Sequence, residues 1–166
     1  IQKHEHELAG KYKACARVEW YLHEQEEDAA RVRMMRDIVK KRRLRVAFLV
    51  VYDSVFPAEA VYRKMRESRV FEPVLYVIPD TLRGEQNMLT QMFKTCKSLQ
   101  EKYGEVILPY DMEHKTFAAI EDDFDIFCTA NPYDGMTHLN YRVRHLTIER
   151  GKLSFYINYG YPGVVY

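Results

Sequence analysis

Hydrophobic and polar positions follow two regimes along this chain, and the change comes near residue 45. Upstream, Leu8, Tyr12, Cys15, Val18, Leu22, Ala29, Val32, Met35 and Val39 recur at intervals of three, four or seven. That is one apolar stripe on a helix, so the spacing predicts a single long helix over 5–42. Leu8, Cys15, Leu22 and Ala29 also keep a seven-residue period, a weak coiled-coil signal that would allow self-association through this helix. Downstream, short apolar runs alternate with amphipathic stretches. "RVAFLVVY" (45–52), "EPVLYVIP" (72–79), "EVILPY" (105–110), "FDIFCTA" (124–130) and "KLSFYINYG" (152–160) read as five strands. Between them, 57–68, 85–104, 115–123 and 135–151 read as helices, with Leu139, Val143 and Leu146 turned inward on the last.

Strands alternating with helices at this spacing imply right-handed crossovers and a mainly parallel sheet. Most of the strands are continuously apolar, as a sheet covered on both faces requires. The expected architecture is α/β: a long helix over 1–44, then a Rossmann-like three-layer sandwich over 45–166.

Composition changes this picture little. A length of 166 residues suits one domain with a sizeable core. A net charge of +1 gives no support for a nucleic-acid partner. The three cysteines, Cys15, Cys96 and Cys128, are widely spaced and odd in number, which predicts reduced thiols in a cytoplasmic protein. No apolar run reaches membrane-spanning length and no signal peptide is visible. The basic run "KKRRLR" (40–45) suits a helix carboxyl end, and it also suits contact with an anionic membrane surface or polymer. The turn-rich end "NYGYPGVVY" suggests a piece of a longer protein. The thirteen tyrosines, several of them in turns, suit either half-buried packing or stacking on a sugar or base.

An open parallel sheet binds ligands at the carboxyl ends of its strands. The segments placed there are Asp53 to Phe56, Asp80 to Gly84, Asp111 to His114, Asn131 to Gly135 and Asn158 to Gly163. In "NPYDG", Asn131-Pro132 bars helix at Asn131, and Asp134-Gly135 can make a turn and cap the next helix. Asn131, Tyr133 and Asp134 are the candidate ligand contacts. Other constellations are set aside. After the first strand stands "YDSVFP", with no G-x-G-x-x-G and no P-loop, so dinucleotide binding of the usual kind is not expected. Asp53 and Asp111 fit a phosphorylatable receiver domain, but "NYGYP" offers no lysine. The "DFD" of Asp123 to Asp125 precedes its strand and belongs to the opposite edge. His138 and His145, seven apart on a helix, would lie roughly 10 Å apart, too far to share one metal. No metal site and no cofactor is expected.

"FDIFCTANPYDGMTHLNYRV" followed by "GKLSFYINYGYPG" resembles the CDP-glycerol glycerophosphotransferase family, the teichoic-acid polymerase-like enzymes of bacteria. The likeness covers about residues 45–163, with "NPYDG" and "INYGY" its most specific parts. The resemblance implies a GT-B architecture in which this chain is the N-terminal, acceptor-side domain, and a second domain, absent here, binds the nucleotide-activated donor. It implies transfer of glycerol phosphate from CDP-glycerol to a hydroxyl on a growing anionic cell-surface polymer, at the inner face of the membrane. It puts Tyr159 at the proposed base position; Asp134 is the other catalytic candidate, Asp53 is a further carboxylate on the same edge that could serve, and Asp53, Asn131, Pro132, Tyr133, Asn158, Gly160 and Tyr161 are the candidates for substrate binding. One departure stands out. The polymerases carry His-Gly-Thr-Pro where this chain has Tyr159-Gly160-Tyr161-Pro162. A phenol with a pKa near 10 is a poor base at neutral pH, so either Tyr159 positions substrate or the chemistry differs. Two further readings remain open: a non-catalytic Rossmann-like module that binds a nucleotide or sugar, and a self-association module built on the long helix.

Overall fold

In the computed structural model, residues 19, 23, 25–38, 40, 43–54, 56–131 and 133–158 are described. The chain divides into two units, 1–40 and 41–166. In the first, residues 19, 23 and 25–38 are helical and are the described part of the long helix expected over 5–42, here α1. Its surface carries i,i+3 and i,i+4 ion pairs, among them Glu27–Arg31 and Asp28–Arg31. Val32 and Met35, from the predicted apolar stripe, are exposed.

The second unit is the Rossmann-like α/β sandwich. Its sheet holds β1 (Leu44–Val50), β2 (Phe71–Val77), β3 (Val106–Ile107), β6 (Ile126–Thr129) and β7 (Leu153–Tyr156), in the order β3-β2-β1-β6-β7. Every pairing is parallel. β1 lies at the centre. Its residues 46–50 are buried because their side chains alternate between two apolar layers. Val46, Phe48 and Val50 face α2 (Glu59–Glu67) and α3 (Glu85–Tyr103), where they meet Tyr62, Met88, Met92, Cys96 and Leu99. Ala47, Leu49 and Val51 face the other way, toward Ile120, Phe124, Tyr141 and Leu146. Pro73 is tolerated in β2 because β3 pairs only with Leu75 and Tyr76, so β2 has no outer neighbour at Pro73.

An aromatic group fastens the helical layer. Phe48 meets Phe56, Tyr62 and Phe155 edge-on, with ring centroids 5.4–6.2 Å apart. Tyr62 in turn meets Tyr103 of α3 at 5.6 Å. Above them Glu59 of α2 pairs with both Lys102 of α3 (2.9 Å) and Arg63 (2.8 Å). Hydrogen bonds from Lys102 and Arg63 hold the Glu59 carboxyl down at about 2.

The layer on the other face departs from expectation. The stretch 115–123 is not a helix. Tyr110–Asp111 (β4) and Thr116–Phe117 (β5) form a small antiparallel hairpin. The Asp111 carboxylate closes its turn by accepting the N–H groups of Glu113 and His114, and Lys115 takes a positive φ of 53°. The helix expected over 135–151 is replaced by single 3-10 turns at Asp134–Met136 and Leu139–Tyr141 and a π-helical turn at His145–Glu149. Arg142 adopts an extended backbone (ψ 133°) that interrupts any continuous helix. The cause is tertiary. Tyr141 sinks into the core and its hydroxyl donates to the Ala118 carbonyl (2.8 Å), while the Asn140 amide donates to the Phe117 carbonyl (3.2 Å). Leu146 is buried as expected, but Leu139 is exposed. His138, Arg142 and His145 therefore do not share a helix face. His138 stacks on Phe117 at 4.8 Å, and His145 bonds Glu149.

The amino edge of the sheet absorbs part of the basic run. Arg45 donates from its backbone N–H to the Asp125 carboxylate (2.9 Å), stacks on Phe124 (4.8 Å) and pairs with Glu72 (3.4 Å). Asp123 and Asp125 lie on this edge, away from the strand carboxyl ends, as the sequence suggests.

Phe48 is 1% exposed at the junction of β1, α2 and β7. Phe48→Ala should cost about 3–5 kcal/mol of stability, measured by urea unfolding of the purified chain.

Candidate functional site

The chain runs from β1 outward to β2 and β3, then returns to place β6 on the other side of β1. The gap between β1 and β6 is thus the topological switch point, where loops diverge to opposite faces and leave a crevice. A cavity of about 270 Å³ opens there, lined by Leu49, Val51, Tyr52, Ala130, Asn131, Tyr133 and Met136. Its walls are mainly apolar, because Leu49 and Val51 belong to the face of β1 covered by turns rather than by a helix.

The "NPYDG" segment forms one rim. The Tyr133 N–H donates to Asn131 Oδ1 (3.1 Å), and the Asn131 amide donates back to the Tyr133 carbonyl (3.1 Å). This closed ring fixes the loop, directs the Asn131 side chain to its own backbone, and leaves Tyr133 63% exposed at the mouth. Asp134 lies outside the cavity wall. Its two oxygens accept the N–H groups of Val143 (2.6 Å) and Arg144 (3.0 Å), which anchors the turn leading into His145–Glu149. A carboxylate held in this way serves the backbone; a role as a base would compete with both bonds.

The opposite rim carries a polar cluster that sequence patterning did not single out. Asp80, 5% exposed after β2, accepts from the Tyr52 hydroxyl, from the Leu82 N–H (3.0 Å) and from Arg83 Nε (2.8 Å). Burial acts to raise its pKa, but the hydrogen bonds from Tyr52, Leu82 and Arg83 outweigh it and leave the carboxyl below its ordinary value. Burial and the neighbouring Asp80 charge push the Tyr52 phenol up. The Arg83 guanidinium lies over the Tyr52 ring at 5.7 Å. The Thr81 hydroxyl donates to the Met136 carbonyl (3.1 Å), so the loops after β2 and β6 are tied across the end of β1. The signal available in sequence was Asp80 itself, an N-cap residue closing "PDTLRG".

The remaining candidates are placed unevenly. Asp53 is half-buried in the turn after β1 and outside the cavity wall. Asn158 follows β7, and the Ile157 N–H donates to the Thr129 carbonyl (2.9 Å), so the chain still runs beside β6 at this edge. Tyr159, Pro132, Gly160 and Tyr161 lie outside the described residues. Among the described residues no group of histidine, cysteine, aspartate or glutamate side chains could hold a metal ion. Cys128 is buried in β6, and burial pushes its thiol up to about 12, so it is core rather than nucleophile. No helix among the described residues is long and apolar enough to cross a membrane. Comparison with family models, with curated proteins and with solved structures finds no match to this chain.

Two measurements check these assignments. Asp80 has a folded-state pKa below its ordinary 3.8, so its stabilisation is present above that pH and lost as pH falls through the folded value. Asp80→Asn should therefore lower the urea midpoint at about pH 6, with the gap to the unaltered chain narrowing as the pH falls below the ordinary 3.8 of the carboxyl. Asp134→Ala should cost roughly 1–2 kcal/mol, as loss of a capping side chain does, and should speed amide exchange at Val143 and Arg144.

Proposed function

We propose that the 41–166 unit is the acceptor-side domain of a transferase of the CDP-glycerol glycerophosphotransferase kind. It would bind an anionic, cell-surface polymer acceptor, and a separate domain would supply a nucleotide-activated glycerol phosphate or sugar. The observation that carries this reading is the cavity at the switch point, rimmed by Asn131 and Tyr133 of the segment that most resembles the family. In such a reaction the acceptor hydroxyl is deprotonated as it attacks the donor phosphorus, and the leaving nucleotide takes the negative charge. Tyr133 offers a ring at the mouth against which an acceptor unit can pack, and Asn131 holds the backbone that carries it. With Asp134 engaged by backbone, the candidates for the base are Asp53, in the turn after β1, and Tyr159. Proximity to a membrane, as the resemblance implies, would suit a membrane-linked acceptor. Arg43 and Arg45 of the basic run pair with Glu72 at the opposite edge of the sheet.

A second reading, a binding module without chemistry, is favoured by one feature: the cavity wall contains no carboxylate among its described residues, and Asp134 is spent on Val143 and Arg144.

The test is transfer of glycerol phosphate from CDP-glycerol by the full-length protein and by its Asn131→Ala, Asp53→Asn and Tyr159→Phe variants. The expected result is activity in the unaltered protein and a fall of roughly 10²-fold or more in kcat for whichever residue assists proton transfer. If all three variants keep normal activity, the assignment of this site is wrong. Absence of transfer by the unaltered protein favours the binding module.

A further inference from the structure

Arg83 is not an ordinary surface arginine. Its Nε is fixed at 2.8 Å on Asp80, a carboxylate whose own side chain is 4% exposed, while the Arg83 side chain is 66% exposed. The planar group lies over Tyr52, which is also a wall of the cavity. An arginine has five N–H donors in a planar fork, so these contacts leave donors directed at solvent. Asp80 in turn divides its charge among Tyr52, Leu82 and Arg83. The result is a cation whose orientation is set before any ligand arrives, which reduces the ordering cost of each new hydrogen bond.

Its surroundings also suit an anion. Gly84 follows directly, with a positive φ of 76°, and a Cβ built there meets nothing within 4 Å, so the approach is open. Helix α3 starts at the next residue, with no side chain capping its first N–H groups. The carboxylate in that first turn, Glu85, is paired with Lys115 at 3.5 Å.

We propose that Arg83, held against Tyr52 by Asp80, is the anion-recognition residue of the cavity, and that the ligand bound there is an organic phosphate. Its apolar or ring-bearing body packs against Leu49, Val51 and Met136, and its phosphoryl group meets the Arg83 fork. The inference rests on the placement of a ligand in this cavity, and it needs no catalytic step. A planar fork with neighbouring backbone donors matches the several oxygens of a phosphoryl group.

The test uses phenyl phosphate, phenol and inorganic phosphate, titrated by NMR into the 166-residue chain and into its Arg83→Ala and Arg83→Lys variants. Phenyl phosphate should bind at least about tenfold more tightly than phenol, and more tightly than inorganic phosphate. Arg83→Ala should bring phenyl phosphate down to the phenol value and leave phenol unchanged. Arg83→Lys, which keeps the charge and loses the fork, should recover part of the difference. Circular dichroism confirms that each variant is folded. Equal binding of phenol and phenyl phosphate, or a preference that survives Arg83→Ala, overturns the role of Arg83 while leaving the cavity as a ligand site. No binding of either ring-bearing probe overturns the cavity assignment and this inference together. An Arg83-dependent preference in a protein without transfer activity supports the inference and counts only against the transferase reading.

Discussion

Strand β1 is hydrogen-bonded on both sides and buried on both faces, and the rest of the domain is arranged around it. Its parallel pairing with β2 runs from Leu44 to Val50, and with β6 from Val46 to Leu49. A shift of one residue would exchange Phe48 and Val50 with Leu49 and Val51 between two layers of different composition. On one side they meet the aromatic rings of α2 and α3; on the other they meet Ile120, Phe124, Tyr141 and Leu146. This double constraint fixes where β1 ends, and therefore where Tyr52 emerges.

The candidate site depends on that end. Since β2 and β6 flank β1 and run the same way, the loops carrying Asp80 and Asn131 must leave on either side of Tyr52. Thr81 joins the two loops through the Met136 carbonyl, and the Asp80 cluster fixes the Tyr52 ring. The cavity is apolar within, where Leu49, Val51, Ala130 and Met136 line it, and polar at one rim, where Tyr52 meets the Asp80 cluster. Such a cleft, with a few converging polar groups, is the usual form of a small-ligand site.

The two faces of the sheet show different degrees of sequence control. On the helical side, Met88, Met92, Cys96 and Leu99 repeat at helical spacing and are buried in that order along α3. On the other side, Leu139, Val143 and Leu146 repeat in the same manner, yet Leu139 is exposed and the segment breaks into short turns. The difference lies in which residues have partners elsewhere. Tyr141 and Asn140 reach the carbonyls of Phe117 and Ala118, and Asp134 caps residues nine and ten positions ahead. These bonds between distant segments outweigh local periodicity.

Apart from the run over 105–110, which stops at Ile107 and yields Tyr110 to the antiparallel β4, the sequence by itself determined the strand runs of the main sheet, their parallel sense, the Rossmann-like class, and the edge on which "NPYDG" lies. Those properties come from continuous apolar runs and their spacing, which are local and additive along the chain. Only the tertiary structure decided that Asp134 accepts from the Val143 and Arg144 backbone, that Asn131 bonds Tyr133, and that Asp80, Tyr52 and Arg83 form one cluster. Each of these depends on a contact set by packing: the Asp134 carboxylate against N–H groups nine and ten residues away, and Tyr52 against a carboxylate 28 residues away. A periodic pattern records which face of an element is buried, but it holds no information on which polar group a neighbouring loop brings within hydrogen-bond reach.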